Sequence, residues 1–168
     1  GFMGSHTADY LSNEGYQVNI VDKEESPWIR EDQKMVLLDI LDRDAVKNAV
    51  ADSELVYHFA GIADIGEAKI DPYSTFNINV NGTLNALQAS VECGVKRFIY
   101  ASTMYVYNPY GSFYRASKQA TEIMIESYQE QYNLDYTILR FGSLYGPRTQ
   151  EWNGLYRYIQ EIVKNKKL

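Results

Sequence analysis

Tyr114 and Lys118 stand four residues apart, in Tyr114-Arg115-Ala116-Ser117-Lys118, at the opening of a long stretch with helical periodicity. On a helix that spacing puts both side chains on one face. A phenol has an ordinary pKa near ~10 and is a poor base at neutral pH, but an ammonium held beside it favours the phenolate. Just upstream, the apolar run Arg97-Phe98-Ile99-Tyr100-Ala101-Ser102 reads as a buried parallel strand, and Thr103 closes it. A hydroxyl at that strand end can hold a substrate oxygen beside the phenol. The three groups together make a proton-transfer site suited to alcohol–ketone interconversion. With 15 tyrosines in the chain, a Tyr four residues before a Lys is common by chance; its place directly after the strand end singles it out. Tyr105, Tyr107 and Tyr110 are rival phenols, and none has a lysine four residues on.

The elements that must position these groups alternate between strand and helix, which predicts a parallel sheet with helices on both faces. The pattern predicts helices over 4–14 (stopped by Gly15), 42–51, 72–93, 114–132 and 154–164. It predicts strands over 17–21, 35–38, 55–59, 97–102 and 136–140. Asp42 or Asp44 caps the second helix, and Asp71 before Pro72 is a start signal for the third. Right-handed crossovers then give an α/β, doubly wound, Rossmann-like sheet. Gly1-Phe2-Met3-Gly4 fits the second half of a glycine-rich dinucleotide turn, with Gly1 letting backbone approach a pyrophosphate and Gly4 letting the helix pack closely. The helix amino end favours the phosphate charge. Asp22 lies 18 residues after Gly4 at a strand end, close to the ~20 expected of an acid that accepts bonds from a ribose diol. A carboxylate there repels a 2′-phosphate, which favours NAD over NADP, although Lys23 follows it. Asp39-Ile40 ends the third predicted element, where a plain turn is nearly as good a reading. Phe59-Ala60-Gly61-Ile62-Ala63 offers small residues after a strand, as a cofactor or a tight turn would require.

In order and spacing, these segments resemble the extended short-chain dehydrogenase/reductase family, the NAD-dependent nucleotide-sugar epimerases and dehydratases. The resemblance runs from Gly1-Phe2-Met3-Gly4 through Val21-Asp22, Asp39-Ile40, His58-Phe59-Ala60-Gly61, Asn79-Val80-Asn81-Gly82-Thr83 and Ser102-Thr103 to Tyr114 and Lys118. It ends at Leu139-Arg140-Phe141-Gly142-Ser143-Leu144-Tyr145-Gly146-Pro147-Arg148. It implies Tyr114 as the acid/base, Lys118 as the holder of the nicotinamide ribose, and Thr103 as the partner of the reacting oxygen. It implies cofactor contacts for Gly1, Phe2, Met3, Gly4, Asp22, Asp39, Ile40, Phe59, Ala60, Gly61, Ala63, Asn79 and Ala101. Ser143, where the family often carries Asn, and Arg148 would touch a nucleotide-diphosphate sugar. The implied reaction is epimerisation: NAD accepts a hydride from a sugar carbon, usually C4, and the flat keto intermediate turns and is reduced on its other face. A one-way dehydrogenase or reductase uses the same residues. A noncatalytic NAD-binding regulator is a third reading, but such proteins are expected to lose the tyrosine or lysine. Dehydratases of the family usually carry Asp-Glu after the hydroxyl residue; Met104 and Tyr105 stand there instead. The loop from Asn108 to Phe113 is also shorter than usual. The family's dimers, built as four-helix bundles, imply a homodimer through helices 72–93 and 114–132, with Ile123 and Tyr128 as exposed apolar contacts.

Length and composition agree with one domain, or part of one: 168 residues, 45% hydrophobic. Sixteen basic against 22 acidic side chains, a net charge of −6, argue against a nucleic-acid binder. One cysteine, Cys93, gives no disulfide framework and fits a reducing cytoplasm. No apolar run reaches the ~18 residues of a membrane span. His6 and His58 lack metal-ligand spacing and read as structural, so no metal is expected. Both ends read as cut. The fingerprint's first strand and first glycine lack counterparts, and 163–168 stops within a helical pattern. The expected organisation is therefore a Rossmann-like unit over 1–168, with a substrate lobe starting near 142–168.

Overall fold

The computed structural model describes residues 1–151 and 153–165. Helix α1 spans Phe2–Asn13, and strands β1 (Val18–Asp22) and β2 (Gln33–Leu37) pair in parallel. Helix α2, Arg43–Val50, starts at the Asp42 side chain, which accepts from Ala45 N at 3.0 Å. Strand β3 (Leu55–His58) pairs with β4 (Arg97–Thr103), and β4 with β5 (Asp135–Phe141), again in parallel. Between β3 and β4 run α3 (Ile65–Ile70), α4 (Pro72–Phe76), a π-turn (Asn77–Gly82) and α5 (Thr83–Glu92). A 3-10 turn at Met104–Tyr107 leads to α6, Ser112–Tyr132, and α7 spans Gly154–Asn165.

β4 is buried along almost its whole length, as expected of a central strand covered on both faces. Phe98 and Tyr100 point from it into a core with Val46 and Val50 of α2, Ala86 and Leu87 of α5, and Ile125 and Tyr128 of α6. Tyr128 is 9% exposed, and its hydroxyl donates to Gln88 Oε1 at 2.9 Å. The expectation that it lies exposed beside Ile123 is therefore corrected: core packing claims it, while Ile123 is 65% exposed.

The sheet is in two parts, β1–β2 and β3–β4–β5. Numbered as strands two to six of the common doubly wound order 3-2-1-4-5-6, the division falls where strand one would lie. The helix predicted over 72–93 forms, but with a π-turn in its middle. Helix α3 escaped the pattern because six residues hold no full hydrophobic period; the Asp64 carboxylate caps it by accepting from Glu67 N at 2.9 Å. Helix α1 begins at Phe2, so Gly4 lies inside its first turn. A Cβ on Gly4 would meet only Phe59 Cδ2, at 3.8 Å. That is an ordinary contact, so close packing does not require this glycine.

Candidate active site

Every strand delivers its candidate residue at its carboxyl end, the edge where open α/β sheets bind ligands. Asp22 ends β1 and Thr103 ends β4. Ala60 and Gly61 follow β3, and Asp39 follows β2. Phe141 is in register with Thr103, so Ser143 projects two residues beyond the same edge and is exposed. Gly1 N lies 3.8 Å from Asp22 Oδ2, which brings the start of α1 beside the end of β1. Phe2, Met3 and Phe59 meet in one cleft of about 400 Å³ with Tyr57, Phe141 and Gly146.

Lys118 is buried, at 6% exposure. Its Nζ donates to the Ala101 carbonyl at 2.8 Å and lies 4.7 Å from the Tyr100 ring centroid and 5.9 Å from that of Tyr114. Burial pulls the ammonium down to about 8, against which the Glu122 carboxylate pulls up. Tyr114 differs from the sequence expectation. Its phenol is raised above the ordinary value, because burial outweighs the pull of the Thr103 hydroxyl and the neighbouring Tyr105 adds to the rise. An ammonium at that distance does not overcome desolvation, so the resting form at neutral pH is the phenol and not the phenolate. The site as folded is an acid that must be turned into a base. Tyr105 stands edge-on to Tyr114 with ring centroids 6.5 Å apart. Tyr107 is bonded to Arg140 and Tyr110 is exposed, so neither rival phenol joins Lys118.

Asn79 is fully buried, and its side chain is spent on protein. Oδ1 accepts from Ile62 N at 2.7 Å, and Nδ2 donates to Ile62 O and to Ser117 Oγ, both at 3.0 Å. Ser117 in turn donates to the Tyr114 carbonyl at 2.8 Å. Within the π-turn the Asn79 carbonyl accepts from Thr83 Oγ1 at 2.6 Å and Thr121 Oγ1 at 3.2 Å; such turns recur at functional sites. Because the Thr83 proton points to Asn79, the 2.9 Å contact to His58 fixes that ring as the Nε2–H donor. His58 is neutral: burial, with the Lys118 charge second, lowers it to about 3. Asn79 thus clamps the loop after β3 to the helix that carries Tyr114 and Lys118. Gly61 sits in that clamp at φ +154°, where a Cβ would come 2.8 Å from Asn79 Oδ1. Exchanging Asn79 for leucine leaves the Ile62 amide and carbonyl unpaired. At ~1–3 kcal/mol per orphaned group, we expect a loss of about 3 kcal/mol, read as a lower denaturation midpoint in urea.

Ile40 packs on the π-turn, where a Cβ on Gly82 would lie 2.7 Å from its Cγ2. Asp39 is exposed, and its Oδ1 accepts from Leu41 N at 2.9 Å. Arg148 is drawn elsewhere. It is paired with Asp9 at 2.8 Å and lies 5.7 Å from the Trp28 ring, two turns down α1 from the helix start. The adjoining Pro147 carbonyl bonds His6 at 2.9 Å. One feature escaped the sequence reading: Glu122, one turn beyond Lys118, joins Ser102 to Arg140. Its i+4 spacing from Lys118 was the available signal.

The amino end of α1, the Asp22 carboxylate beside it and the exposed Ala60, Gly61 and Ala63, with Gly61 next to Lys118, make a set of groups suited to a dinucleotide. Among the described residues, no helix is long and apolar enough to cross a membrane.

A family described as "NAD dependent epimerase/dehydratase family" matches residues 1–168. The chain is 26% identical to a UDP-glucuronate 4-epimerase of Thermodesulfobacterium geofontis, over 99% of this chain and 60% of that protein. It is 30% identical to a UDP-N-acetyl-alpha-D-glucosaminuronate decarboxylase of Bacillus cytotoxicus, over 90% of this chain and 54% of that protein. The solved UDP-glucose 4-epimerase of Thermus thermophilus in complex with NAD superimposes with a TM-score of 0.89, at 27% identity. That alignment covers 98% of this chain and 60% of the other. The chain thus spans little more than half the length of these relatives, and their shared Rossmann-type fold is its own.

Proposed function

We propose, from the premise that this chain belongs to the NAD dependent epimerase/dehydratase family, that the complete protein epimerises a nucleotide-diphosphate sugar through a keto intermediate. The observation that carries the proposal is the placement of Thr103, Tyr114 and Lys118 together at the carboxyl edge of β4. NAD, when bound, supplies the hydride acceptor and donor together with a positively charged ring. Gly1, Phe2, Met3 and Gly4 receive its pyrophosphate at the start of α1, and Asp22 accepts from the adenosine ribose. Asp39 and Ile40 flank the adenine. Phe59, Ala60, Gly61 and Ala63, held by Asn79, and the Ala101–Lys118 pair line the nicotinamide side.

Thr103 holds the reacting oxygen, and Tyr114 exchanges the proton with it. In the oxidising direction the phenol must first give up its own proton, which the adjoining positive charges favour. In the reducing direction the resting phenol is already the acid required. Ser143, exposed beyond the end of β5, would contact the sugar diphosphate, whereas Arg148 is paired with Asp9. Epimerisation is preferred to dehydration because Met104, which is exposed, and Tyr105, edge-on to Tyr114, follow Thr103 where an elimination would use a pair of carboxylates. A substrate lobe beginning near 142–168, of which 166–168 lie outside the described residues, belongs to the same proposal. So does a homodimer through 72–93 and 114–132, where Tyr73 and Ile123 are exposed. A cytoplasmic setting is consistent with the single cysteine and the NAD requirement.

The test incubates the complete protein with NAD and a panel of UDP-, GDP- and dTDP-hexoses and follows sugar configuration by proton NMR. Interconversion of two epimers without net NADH, lost in Tyr114→Phe, is the expected result. Net NADH would instead assign a dehydrogenase, and NAD binding without turnover a regulator.

A further inference from the structure

Behind the Tyr114–Lys118 pair lies a second polar cluster that the reaction as described does not use. Glu122 is 7% exposed. Its Oε1 accepts from Ser102 Oγ at 2.5 Å and from Arg140 Nε at 3.0 Å, and its Oε2 accepts from Arg140 Nη2 at 2.7 Å. Arg140 also bonds the Tyr107 hydroxyl. A buried ion pair is weak evidence for stability, since apolar residues of like volume commonly do as well. Its place suggests another use. Glu122 follows Lys118 by four residues on α6, so the two share a face. Both reach the same stretch of β4, Lys118 at the Ala101 carbonyl and Glu122 at the Ser102 hydroxyl.

We propose that Glu122 is a positioning residue for the proton-transfer pair: anchored by Arg140 and Ser102, its carboxylate keeps the buried Lys118 ammonium charged and bonded to Ala101. This rests on Lys118 serving the site as a cation, the reading given above. The groups that face Lys118 bear it out. His58 from β3 is neutral, and its own proton affinity is lowered by the lysine. Tyr100 from β4 presents a ring face and an un-ionised phenol. Tyr114 on α6 rests as a phenol. Asn79 of the π-turn is uncharged. Arg140 from β5 is bonded to the Glu122 carboxylate. Among these groups, Glu122 is the one that favours the ammonium against the cost of burial. Arg140 fixes the carboxylate and also tempers it, so the two residues act on Lys118 with opposite signs.

That opposition provides the test. In the complete protein labelled with carbon-13 at lysine Cε, the Lys118 signal is assigned by its loss in Lys118→Met and followed by NMR against pH. Glu122→Gln is expected to lower its midpoint by about one pH unit, a tenfold change in the charged fraction on that limb. Arg140→Gln, which releases the carboxylate from its counter-ion, is expected to raise it. Glu122→Asp should return the midpoint towards that of the unaltered protein. The alkaline limb of kcat should move with the midpoint, while KM for the nucleotide sugar stays within about twofold. An unmoved Lys118 midpoint in whichever variant folds, or a shift of the same sign in both, overturns the proposal. Such results would leave Glu122 as packing alone. Because the NMR titration does not depend on turnover, failure of the epimerase reading would appear separately, as an inactive protein whose Lys118 still responds.

Discussion

Replacing Tyr114 by phenylalanine is expected to lower kcat by about 10²–10⁴-fold, the usual contribution of a positioned acid or base. The change removes one oxygen from a half-buried ring whose edge contact with Tyr105 does not use the hydroxyl. The KM for the sugar nucleotide and the melting temperature should therefore move little. The pH profile separates this loss from general damage. The Tyr114 phenol is raised by burial, so the phenolate needed to withdraw the substrate proton is a minor form at neutral pH. The rate of the oxidising direction should climb about tenfold per pH unit through the neutral range, and the Tyr114→Phe remnant should lack that slope. Tyr105→Phe is the control. Its ring lies 6.5 Å from that of Tyr114, but it has no lysine partner, and its rate should stay within about tenfold of the unaltered protein. Equal losses in the two variants would remove Tyr114 from its role.

Much of this arrangement was legible in the chain because a parallel sheet converts strand ends into a shared edge. Once the apolar runs ending near Asp22, Phe59 and Thr103 are read as parallel strands, their terminal residues must lie side by side. The i, i+4 spacing then aims Tyr114 and Lys118 at that edge. Burial was not legible in the same way. The expectation that Lys118 lowers the Tyr114 pKa came from charge and proximity, yet desolvation acts on both groups and drives each toward its neutral form. The π-turn at Asn77–Gly82 was invisible because one extra residue in a helical turn leaves the hydrophobic pattern almost unchanged. It nevertheless rotates Asn79 into the core, where the Ile62 backbone and Ser117 consume its amide. The pairing of Arg148 was not legible for another reason. Its partner Asp9 is 139 residues away in sequence, and only the fold brings the strap after β5 along α1.

The same conflict between burial and charge makes Lys118→Met the most informative stability variant. Lys118 has an ordinary pKa of 10.5 and falls to about 8 in the folded chain, chiefly through burial. Between those values the unfolded chain holds the proton and the folded chain does not, so folding stability rises with pH across that window. Below pH 8 both states are charged, and the fold bears the whole cost of a buried ammonium. That cost is about 3 kcal/mol at 1.36 kcal/mol per unit. Methionine removes it at similar volume but leaves the Ala101 carbonyl without its 2.8 Å donor, returning about 1 kcal/mol. We therefore expect Lys118→Met to be about 2 kcal/mol more stable than the unaltered chain at pH 7. The advantage should shrink as the pH approaches 10, and turnover should be lost throughout. Denaturant unfolding at several pH values measures the difference directly. A variant less stable at pH 7, or an advantage that does not vary with pH, would mean that Lys118 is held for packing. A gain in stability coupled to loss of turnover would instead mark Lys118 as a residue retained for its charge, at the expense of the fold that holds it.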